Sequence, residues 1–438
     1  MNDHLGIFDQ GPPPDDEDVD VEALRHVLNQ ETVAPPATSR PSRRQQARAR
    51  LLAEKRRKRR RRRHTVVAVL VLALLGAGLY VGFRIWRHEA DVGPDFAGTG
   101  DTEVVVRVQS SDSLDDIAKT LADNQVIADA QTFVDVTKGD AELAALQPGY
   151  YRVRQHASSA AAADALVDKD NRVGRVALVP GGQLADVTAK DTKGKATTLP
   201  GYISQITEAA CVPLNGQSDC FTSDELWKVA ENTLPSALGV VDWAESDIEK
   251  APDRSRRLEG MILPGTYDVP PNSGPTEALK AVVSASSALW NSSEVVADAK
   301  QIGKTPYEVA VVASIVQREA GASADMPKVA RVIYNRLARG MPLQMDSTVN
   351  YALNQAQIAT SAADRQNPSP YNTYVHKGLP PTPISSPGSA ALDAAVNPAE
   401  GGWLYFVAVD LKGNSCFSIT DVEHAACVAL ARKNGVFG

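Results

Sequence analysis

One acidic residue, Glu319 in the segment VVASIVQREAG (311–321), has neighbours that could prepare it for proton transfer. Val312, Ile315 and Val316 lie seven, four and three positions before it, so a helix would place all four side chains on one face. Apolar surroundings and the negative C-terminal end of a helix both raise the pKa of a carboxyl group. A carboxyl group of this kind can act as a general acid near neutral pH. The alternative is an ordinary last-turn glutamate that points into solvent.

The residues around this segment predict the helix that must position Glu319. Thr305 and Glu308 match a capping box, and Pro306 between them suits the first helical position. Gly321 is a plausible helix end. The sequence therefore predicts a helix over about 306–320.

The chain after this helix predicts one more helix and then mostly loops. Apolar spacing predicts a helix over 326–339, ended by Gly340. Two loop segments follow, at 342–350 and 370–388, and the apolar run at 403–409 predicts a buried strand.

A separate βααβ pattern precedes these elements and occupies residues 103–155. Strands are predicted at 104–108 and 149–153, and helices at 114–121 and 130–136. The fold class expected for the chain is therefore α+β.

Charge and hydropathy change sharply along the first ninety residues, although the net charge is only −7. Residues 1–32 are acidic, and Lys55–Arg63 is a run of nine basic residues. Thr65–Phe83 then contains nineteen residues without a charge, close to the ~20 that span a bilayer as a helix. Tyr80 and Trp86 would lie at the membrane interface.

The basic run could bind nucleic acid, but its position beside the apolar segment favours the positive-inside explanation. A cleaved signal peptide fits poorly, because the leader is 63 residues long and no A-x-A-like site follows Trp86. We therefore expect a single-pass cell-membrane protein with a cytoplasmic N-terminus, an exported region from about residue 88, and no nucleic-acid partner.

All four cysteines follow the apolar segment, and an even number in an exported region favours disulfides. Three pairings are possible. We favour the local one, Cys211–Cys220 and Cys416–Cys427, because each pair brackets a short segment. Four buried free thiols are the alternative. No cysteine or histidine cluster suggests zinc.

Five ordered segments across residues 258–430 resemble the endolytic murein transglycosylase family (MltG, or YceG-like). They are LEGMILPGTY (258–267), ASIVQREAG (313–321), VIYNRLARGMPLQMDSTVNYAL (332–353), PYNTYVHKGLPPTPISSPG (370–388) and LYFVA (404–408). The apolar segment and the 103–155 unit, which resembles a LysM module, fit the same family in order. The long basic tail is similar to tails of high-GC Gram-positive (actinobacterial) members.

The resemblance implies that Glu319 is the catalytic acid of a lytic transglycosylase that acts on peptidoglycan glycan strands. One carboxyl group would protonate the bond between MurNAc and GlcNAc and then deprotonate the C6 hydroxyl of MurNAc, which gives a 1,6-anhydro end. No metal or cofactor is implied, and peptidoglycan synthases are candidate partners. A non-catalytic glycan-binding scaffold and a hydrolytic muramidase are the alternative functions.

Two positions depart from the family pattern. Many relatives have an acid where this chain has Gln317, and relatives often have a histidine where it has Ser415. The scaffold alternative rests on these departures, while Glu319 itself is retained.

Several polar residues of the same segments are candidates for contact with the sugar. Each has a structural alternative, such as a helix cap for Asp346, a core amide for Asn335 and packing for the two tyrosines. The candidates are Asn335, Gln344, Asp346, Tyr371, Asn372 and Tyr374.

The resemblance and the composition together predict six parts of the chain. They are a disordered cytoplasmic tail (1–63), a transmembrane helix (64–87), a linker (88–102), the LysM-like module (103–155), an intermediate α+β region (156–257) and a mixed α/β catalytic domain (258–438).

Overall fold

The structure is a computed structural model that describes residues 73–78, 93–190, 195–356 and 360–436. The chain separates into two compact units, residues 1–89 and residues 90–438. In the first unit, residues 73–78 are helical and exposed. The predicted disordered tail (1–63) lies outside the described residues. All other elements belong to the second unit.

The prediction of a membrane anchor is corrected by the structure. Within the described ranges, no helix has both the length and the apolar character that a membrane crossing requires. Most of the range 64–87, from which the anchor was predicted, lies outside these ranges. The single-pass localisation, with a cytoplasmic N-terminus, is therefore not supported.

The N-terminal part of the second unit is a small α+β module. Strand β1 (Glu103–Val108) pairs antiparallel with β2 (Gly149–Arg154), and β2 pairs with the two-residue strand β3 (Arg172–Val173). Between β1 and β2 lie the helices α1 (Leu114–Asp123), α2 (Ala130–Val136) and α3 (Ala141–Ala144), and α4 (Ser159–Val167) follows. The predicted βααβ order is observed, with α3 as an additional one-turn helix.

The module has its own apolar core, since alternate residues of β1 and β2 point inward onto α1 and α4. Val106, Leu121, Phe133, Val153 and Leu166 are all at most 3% exposed. The similarity of this module to LysM stays a prediction.

The remainder of the unit is mostly helical, with short strands that tie distant segments together. Its helices are α5 (Tyr202–Ala210), α6 (Ser223–Asn232), α7 (Pro235–Leu238), α8 (Asp242–Glu249), α9 (Pro275–Ser292), α10 (Val295–Gln301), α11 (Pro306–Glu319), α12 (Met326–Ala338), α13 (Asp346–Ala352), α14 (Ser389–Val396) and α15 (Asp421–Lys433). Its strands are β4 (Arg175–Leu178), β5 (Val187–Lys190), β6 (Ala196–Leu199), β7 (Gly265–Asp268), β8 (Gln355–Ala356), β9 (Tyr405–Ala408) and β10 (Ser415–Ser418).

Strand pairing joins residues on both sides of position 257, where a domain boundary was predicted. Strand β4 pairs antiparallel with β7, and β5 pairs antiparallel with β6 and parallel with β8. One apolar core extends from Val176 to Val396. The intermediate region and the proposed catalytic region are therefore packed on a shared core.

Helix α11 lies at the centre of this core and begins and ends as its sequence predicts. The Thr305 hydroxyl accepts the Glu308 N–H and the Glu308 carboxylate accepts the Thr305 N–H, which completes the capping box. Residues 309–316 of α11 are all buried. Helices α12 and α14 pack against α11, so its C-terminal end has a fixed position.

The C-terminal segment is a hairpin of β9 and β10 followed by α15. The strand predicted over 403–409 is observed as β9, although its residues are half-buried and not fully buried. Gly413 at the hairpin turn lies against Gly321, and a Cβ atom on Gly321 would come within 2.8 Å of the Gly413 Cα. The hairpin therefore ends beside the segment that follows Glu319.

Disulfide bonds join Cys211 to Cys220 and Cys416 to Cys427, with Cα–Cα separations of 5.0 and 5.8 Å. Both separations lie in the range that a disulfide requires. The first bond closes the connection between α5 and α6, and the second ties β10 to α15.

Replacement of Cys416 and Cys427 together by serine should lower the free energy of unfolding by about 2–3 kcal/mol, because the loop they close constrains the unfolded chain. Urea denaturation of the oxidised protein measures the change. The double variant at Cys211 and Cys220 should give a similar loss, and non-reducing peptide maps should contain only these two linked pairs. An unchanged unfolding midpoint in both double variants would contradict the pairing.

Candidate active site

Glu319 is the last residue of α11, and its side chain is half-buried. Val312, Ile315 and Val316, which share its helix face, are fully buried. The Ser347 backbone N–H, in the first turn of α13, donates to Glu319 Oε1 at 3.2 Å. The carboxyl group therefore lies where the end of α11 meets the beginning of α13.

The surroundings of Glu319 favour its protonated form. Burial raises the pKa of this carboxyl group above its ordinary value, and the negative charge of Asp346 raises it further. Ser347 lowers the pKa by less than burial raises it, although by more than Asp346 raises it, and the neighbouring cation Arg318 lowers it least. The balance leaves an acid that can hold its proton closer to neutral pH than an exposed glutamate can.

The Ser347 hydroxyl is buried and has no hydrogen-bond partner of normal geometry among the described residues. It lies close enough to Glu319 to lower the pKa of that carboxyl group. Buried hydroxyl groups nearly always have a partner, and the acceptor that this one faces is the Glu319 carboxyl group.

Asp346, in contrast, is held in its charged form. The Thr360 hydroxyl donates to its carboxylate at 2.6 Å, the Tyr374 hydroxyl at 2.7 Å, and the Arg365 guanidinium forms an ion pair at 3.2 Å. Burial alone would raise the pKa of Asp346, but these donors and the Arg365 charge bring it below its ordinary value. Two neighbouring carboxyl groups thus have pKa values shifted in opposite directions.

Tyr374 is the other predicted site residue that the structure brings near Glu319. Its hydroxyl binds Asp346, and its ring lies 5.0 Å from the Arg365 guanidinium carbon. Burial raises the pKa of Tyr374, with further contributions from Asp346 and from Glu319. Its hydroxyl therefore stays protonated and acts as a donor.

Two other predicted residues, Tyr371 and Asn372, stabilise the loop 370–388 that also contains Tyr374. Asn372 is completely buried, and its amide donates to the carbonyl groups of Arg365 and Asn367. Tyr371 is buried, and its hydroxyl contacts the Thr382 hydroxyl at 3.1 Å. Both side chains therefore fix the loop that carries Tyr374.

Asn335 and Gln344 also have structural partners. The Asn335 amide donates to the carbonyl groups of Gly401 and Trp403, which fastens the segment before β9 to α12. Gln344 has a positive φ of 56°, and its side-chain oxygen accepts from Arg336. No contact joins either side chain to Glu319 among the described residues.

The two departures from the family pattern also have partners. The Gln317 side-chain oxygen accepts the Gly388 N–H at 2.9 Å, at the start of α14. The Ser415 backbone N–H donates to Asp325 at 2.8 Å, which attaches β10 to the turn before α12. Neither side chain shares a hydrogen bond with Glu319.

The profile of the YceG-like family matches residues 106–430, which is most of the chain. The chain belongs to the YceG-like family. An endolytic murein transglycosylase of Bacillus subtilis is 36% identical over 169 residues, 38% of this chain and 46% of that protein. An endolytic murein transglycosylase of Streptococcus pneumoniae is 27% identical over 371 residues, 82% of this chain and 64% of that protein. This YceG-like chain thus spans about half to two thirds of the length of these relatives.

A crystal structure of a YceG-like protein from Listeria monocytogenes aligns with a TM-score of 0.48 and 24% identity, covering 74% of this chain and 98% of that chain. The family resemblance expected from the sequence is confirmed by the profile match.

Four residues of this YceG-like site were not predicted from the sequence. Ser347 directly follows Asp346 at the start of a helix. That position was the one sequence signal that could have identified it. Thr360 and Arg365 lie in a stretch without periodicity, and no sequence pattern places them on Asp346. Glu259 lies in the segment LEGMILPGTY, 60 positions before Glu319, and no local pattern distinguishes it.

Replacement of Asp346 by asparagine should lower the pKa of Glu319 towards its ordinary value, because the negative charge that raises it is removed. An NMR titration of carboxyl-labelled protein measures this shift directly. Asp364→Asn is the matched control, since Asp364 is half-buried and its carboxylate binds Ser361 of its own turn. An unchanged or higher pKa of Glu319 in Asp346→Asn would contradict the electrostatic coupling.

Proposed function

We propose that this protein is a peptidoglycan lytic transglycosylase that cleaves the bond between MurNAc and GlcNAc within glycan strands. The observation that carries the proposal is the half-buried Glu319 carboxyl group, which burial gives a raised pKa and which the Ser347 N–H orients where α11 meets α13. The names of the Bacillus subtilis and Streptococcus pneumoniae relatives support the same reaction class.

Glu319 acts twice in the proposed reaction. The protonated carboxyl group first gives its proton to the glycosidic oxygen as the bond from that oxygen to C1 of MurNAc breaks. The resulting carboxylate then takes the proton of the MurNAc C6 hydroxyl, whose oxygen forms a new bond to C1. The product is a 1,6-anhydroMurNAc end, and Glu319 is protonated again.

A single acid is sufficient because the substrate supplies the nucleophile. Hydrolytic glycosidases need a second carboxyl group to activate water or to attack C1. The C6 hydroxyl belongs to the same sugar as C1, so holding the ring in the right conformation replaces the second reactant.

Asp346 has an electrostatic part in this proposal. Its carboxylate is engaged by Thr360, Tyr374 and Arg365, so it is not available as a base. Its negative charge keeps Glu319 protonated before the reaction and stabilises the positive charge that develops on the sugar.

We propose that the predicted substrate-binding residues form two groups. Asp346 and Tyr374, together with Ser347, are proposed to lie closest to the sugar at the cleaved bond. Asn335, Gln344, Tyr371 and Asn372 are proposed to shape the site through the loops that they hold. We further propose that the module at 103–155 holds the glycan strand.

Glu319→Gln should lower the rate of glycan cleavage by about 10²–10⁴-fold or more, because the amide keeps the shape of the side chain but cannot transfer a proton. Mass spectrometry of digested peptidoglycan measures the anhydro ends, and thermal unfolding should show a folded protein.

Gln317→Glu is the matched control two positions away. A carboxylate there can still accept the Gly388 N–H, and the start of α14 favours a negative charge, so we expect near wild-type activity. If the wild-type protein produced reducing ends, it would be a muramidase. If it produced no cleavage, it would be a binding scaffold. A folded Glu319→Gln protein with the wild-type rate would refute the assignment.

A further inference from the structure

We propose that Glu259 is a positioning residue for Glu319, because its buried carboxylate holds two segments that contact the helix end carrying the acid. These are the loop 181–184 and helix α13. This inference rests on the proposed function for its kinetic consequences, while its structural part can be measured without any activity.

Glu259 lies inside the core, where an acidic side chain needs hydrogen-bond donors. It is 2% exposed. The Leu184 backbone N–H lies 3.3 and 3.2 Å from its two oxygens, and the Tyr351 hydroxyl donates to Oε2 at 3.2 Å. Its carboxylate forms no ion pair within 4 Å in the described part of the chain, so these donors hold it in place.

The Tyr351 contact connects Glu259 to α13. Tyr351 lies in the last turn of this helix, and Ser347, which donates to Glu319, lies one turn earlier. Because α13 is only two turns long, a shift of Tyr351 moves the Ser347 N–H as well. Glu259 thus helps to set the distance from Ser347 to Glu319.

The Leu184 contact connects Glu259 to Glu319 by a second path, through the loop 181–184. The Gly181 carbonyl, three residues before Leu184, accepts the Arg318 guanidinium at 3.3 Å, and Arg318 directly precedes Glu319. Two backbone hydrogen bonds of 2.8 Å fasten this loop to Ser386: the Gly181 N–H donates to the Ser386 carbonyl, and the Ser386 N–H donates to the Gly182 carbonyl. The loop 181–184 is therefore a rigid link between Glu259 and the end of α11.

The charge of Glu259 is sensitive to pH near neutrality. Burial raises the pKa of Glu259 to about 7, against the lowering effects of Leu184, Tyr351 and Arg256. The ionised form accepts both hydrogen bonds fully, and protonation removes acceptor capacity from one oxygen. Ionisable groups from the surrounding elements that interact with it are Arg256, Tyr202, Arg318, Tyr351 and Tyr371.

The pH profile of wild-type anhydro-end formation should therefore contain a rising limb with a midpoint near pH 7, from ionisation of Glu259, and a falling limb from loss of the Glu319 proton. Glu259→Gln should remove the rising limb, keep the falling limb, and lower the maximum rate by roughly 10- to 100-fold, because the reacting groups are displaced. Tyr351→Phe should move the rising limb to higher pH, since the lost hydroxyl stabilises the carboxylate.

Tyr267→Phe is the matched control. It removes another buried hydroxyl of the same core, one that donates to the Leu263 carbonyl and does not contact Glu259. We expect its pH profile to match that of the wild-type protein. A rising limb that stays unchanged in both Glu259→Gln and Tyr351→Phe would overturn the proposal, and Tyr351→Phe alone decides it if Glu259→Gln does not fold.

NMR titration of the backbone amides separates this inference from the proposed function, since it needs no substrate. In the wild-type protein, Leu184 and Ser347 should both report a transition near pH 7. In Glu259→Gln, Leu184 should lose it and Ser347 should keep only the transition of Glu319. If both amides behave in this way but no anhydro ends form, the proposed reaction is wrong and the positioning role stands. If Ser347 does not respond to Glu259, the positioning role is wrong.

Discussion

The site depends on one requirement: a carboxyl group must be partly shielded from water while its side chain keeps a fixed position. Glu319 meets this requirement because α11 is buried along residues 309–316, so its last residue cannot move away from the core. The backbone N–H of Ser347 binds the carboxyl group, and the Ser347 hydroxyl lies close enough to lower its pKa. Additional donors would stabilise the carboxylate and lower its pKa. Without any donor, the side chain would have no fixed orientation. The surrounding loops maintain this intermediate condition.

Buried polar side chains hold those loops, and most of their contacts cross long stretches of sequence. The Ser314 hydroxyl, in the middle of α11, accepts the Ile384 N–H, and the Ser385 hydroxyl donates to the Ser314 carbonyl. Thr348 and Thr373 share a hydrogen bond that joins α13 to the loop containing Tyr374. Buried polar groups in networks of this kind favour one arrangement, because any other arrangement leaves a donor or acceptor unpaired. The segments around Glu319 are therefore determined by hydrogen bonds as much as by apolar packing.

Local signals predicted the helix of the acid, and they did so because the relevant interactions are local. The capping box of Thr305 and Glu308 and the spacing of the apolar residues involve positions within a few residues of one another. The roles of Asn335 and Asn372 could not be predicted in this way. An amide that binds a sugar and an amide that binds a backbone carbonyl have the same sequence pattern, and the carbonyl partners of Asn335 lie 66 and 68 positions away. The membrane anchor was inferred from hydropathy and the adjoining basic run, and the described helices do not support it.

Three carboxyl groups in this region illustrate how one fold can set three protonation states. Asp346 has donors from three side chains, one of them the cation Arg365, and its pKa is lowered. Glu259 has a backbone and a tyrosine donor in a fully enclosed position, and its pKa rises to about 7. Glu319 has donors from one residue, Ser347, and a neighbouring anion, and its pKa is raised mainly by burial. Donors and burial together therefore fit the proposed roles of a permanent charge, a group that responds to pH, and an acid. Because Asp346 and Ser347 are adjacent on α13, the anion that keeps Glu319 protonated and the donor that orients it move as one unit, so a displacement of this helix would change both properties of the acid together.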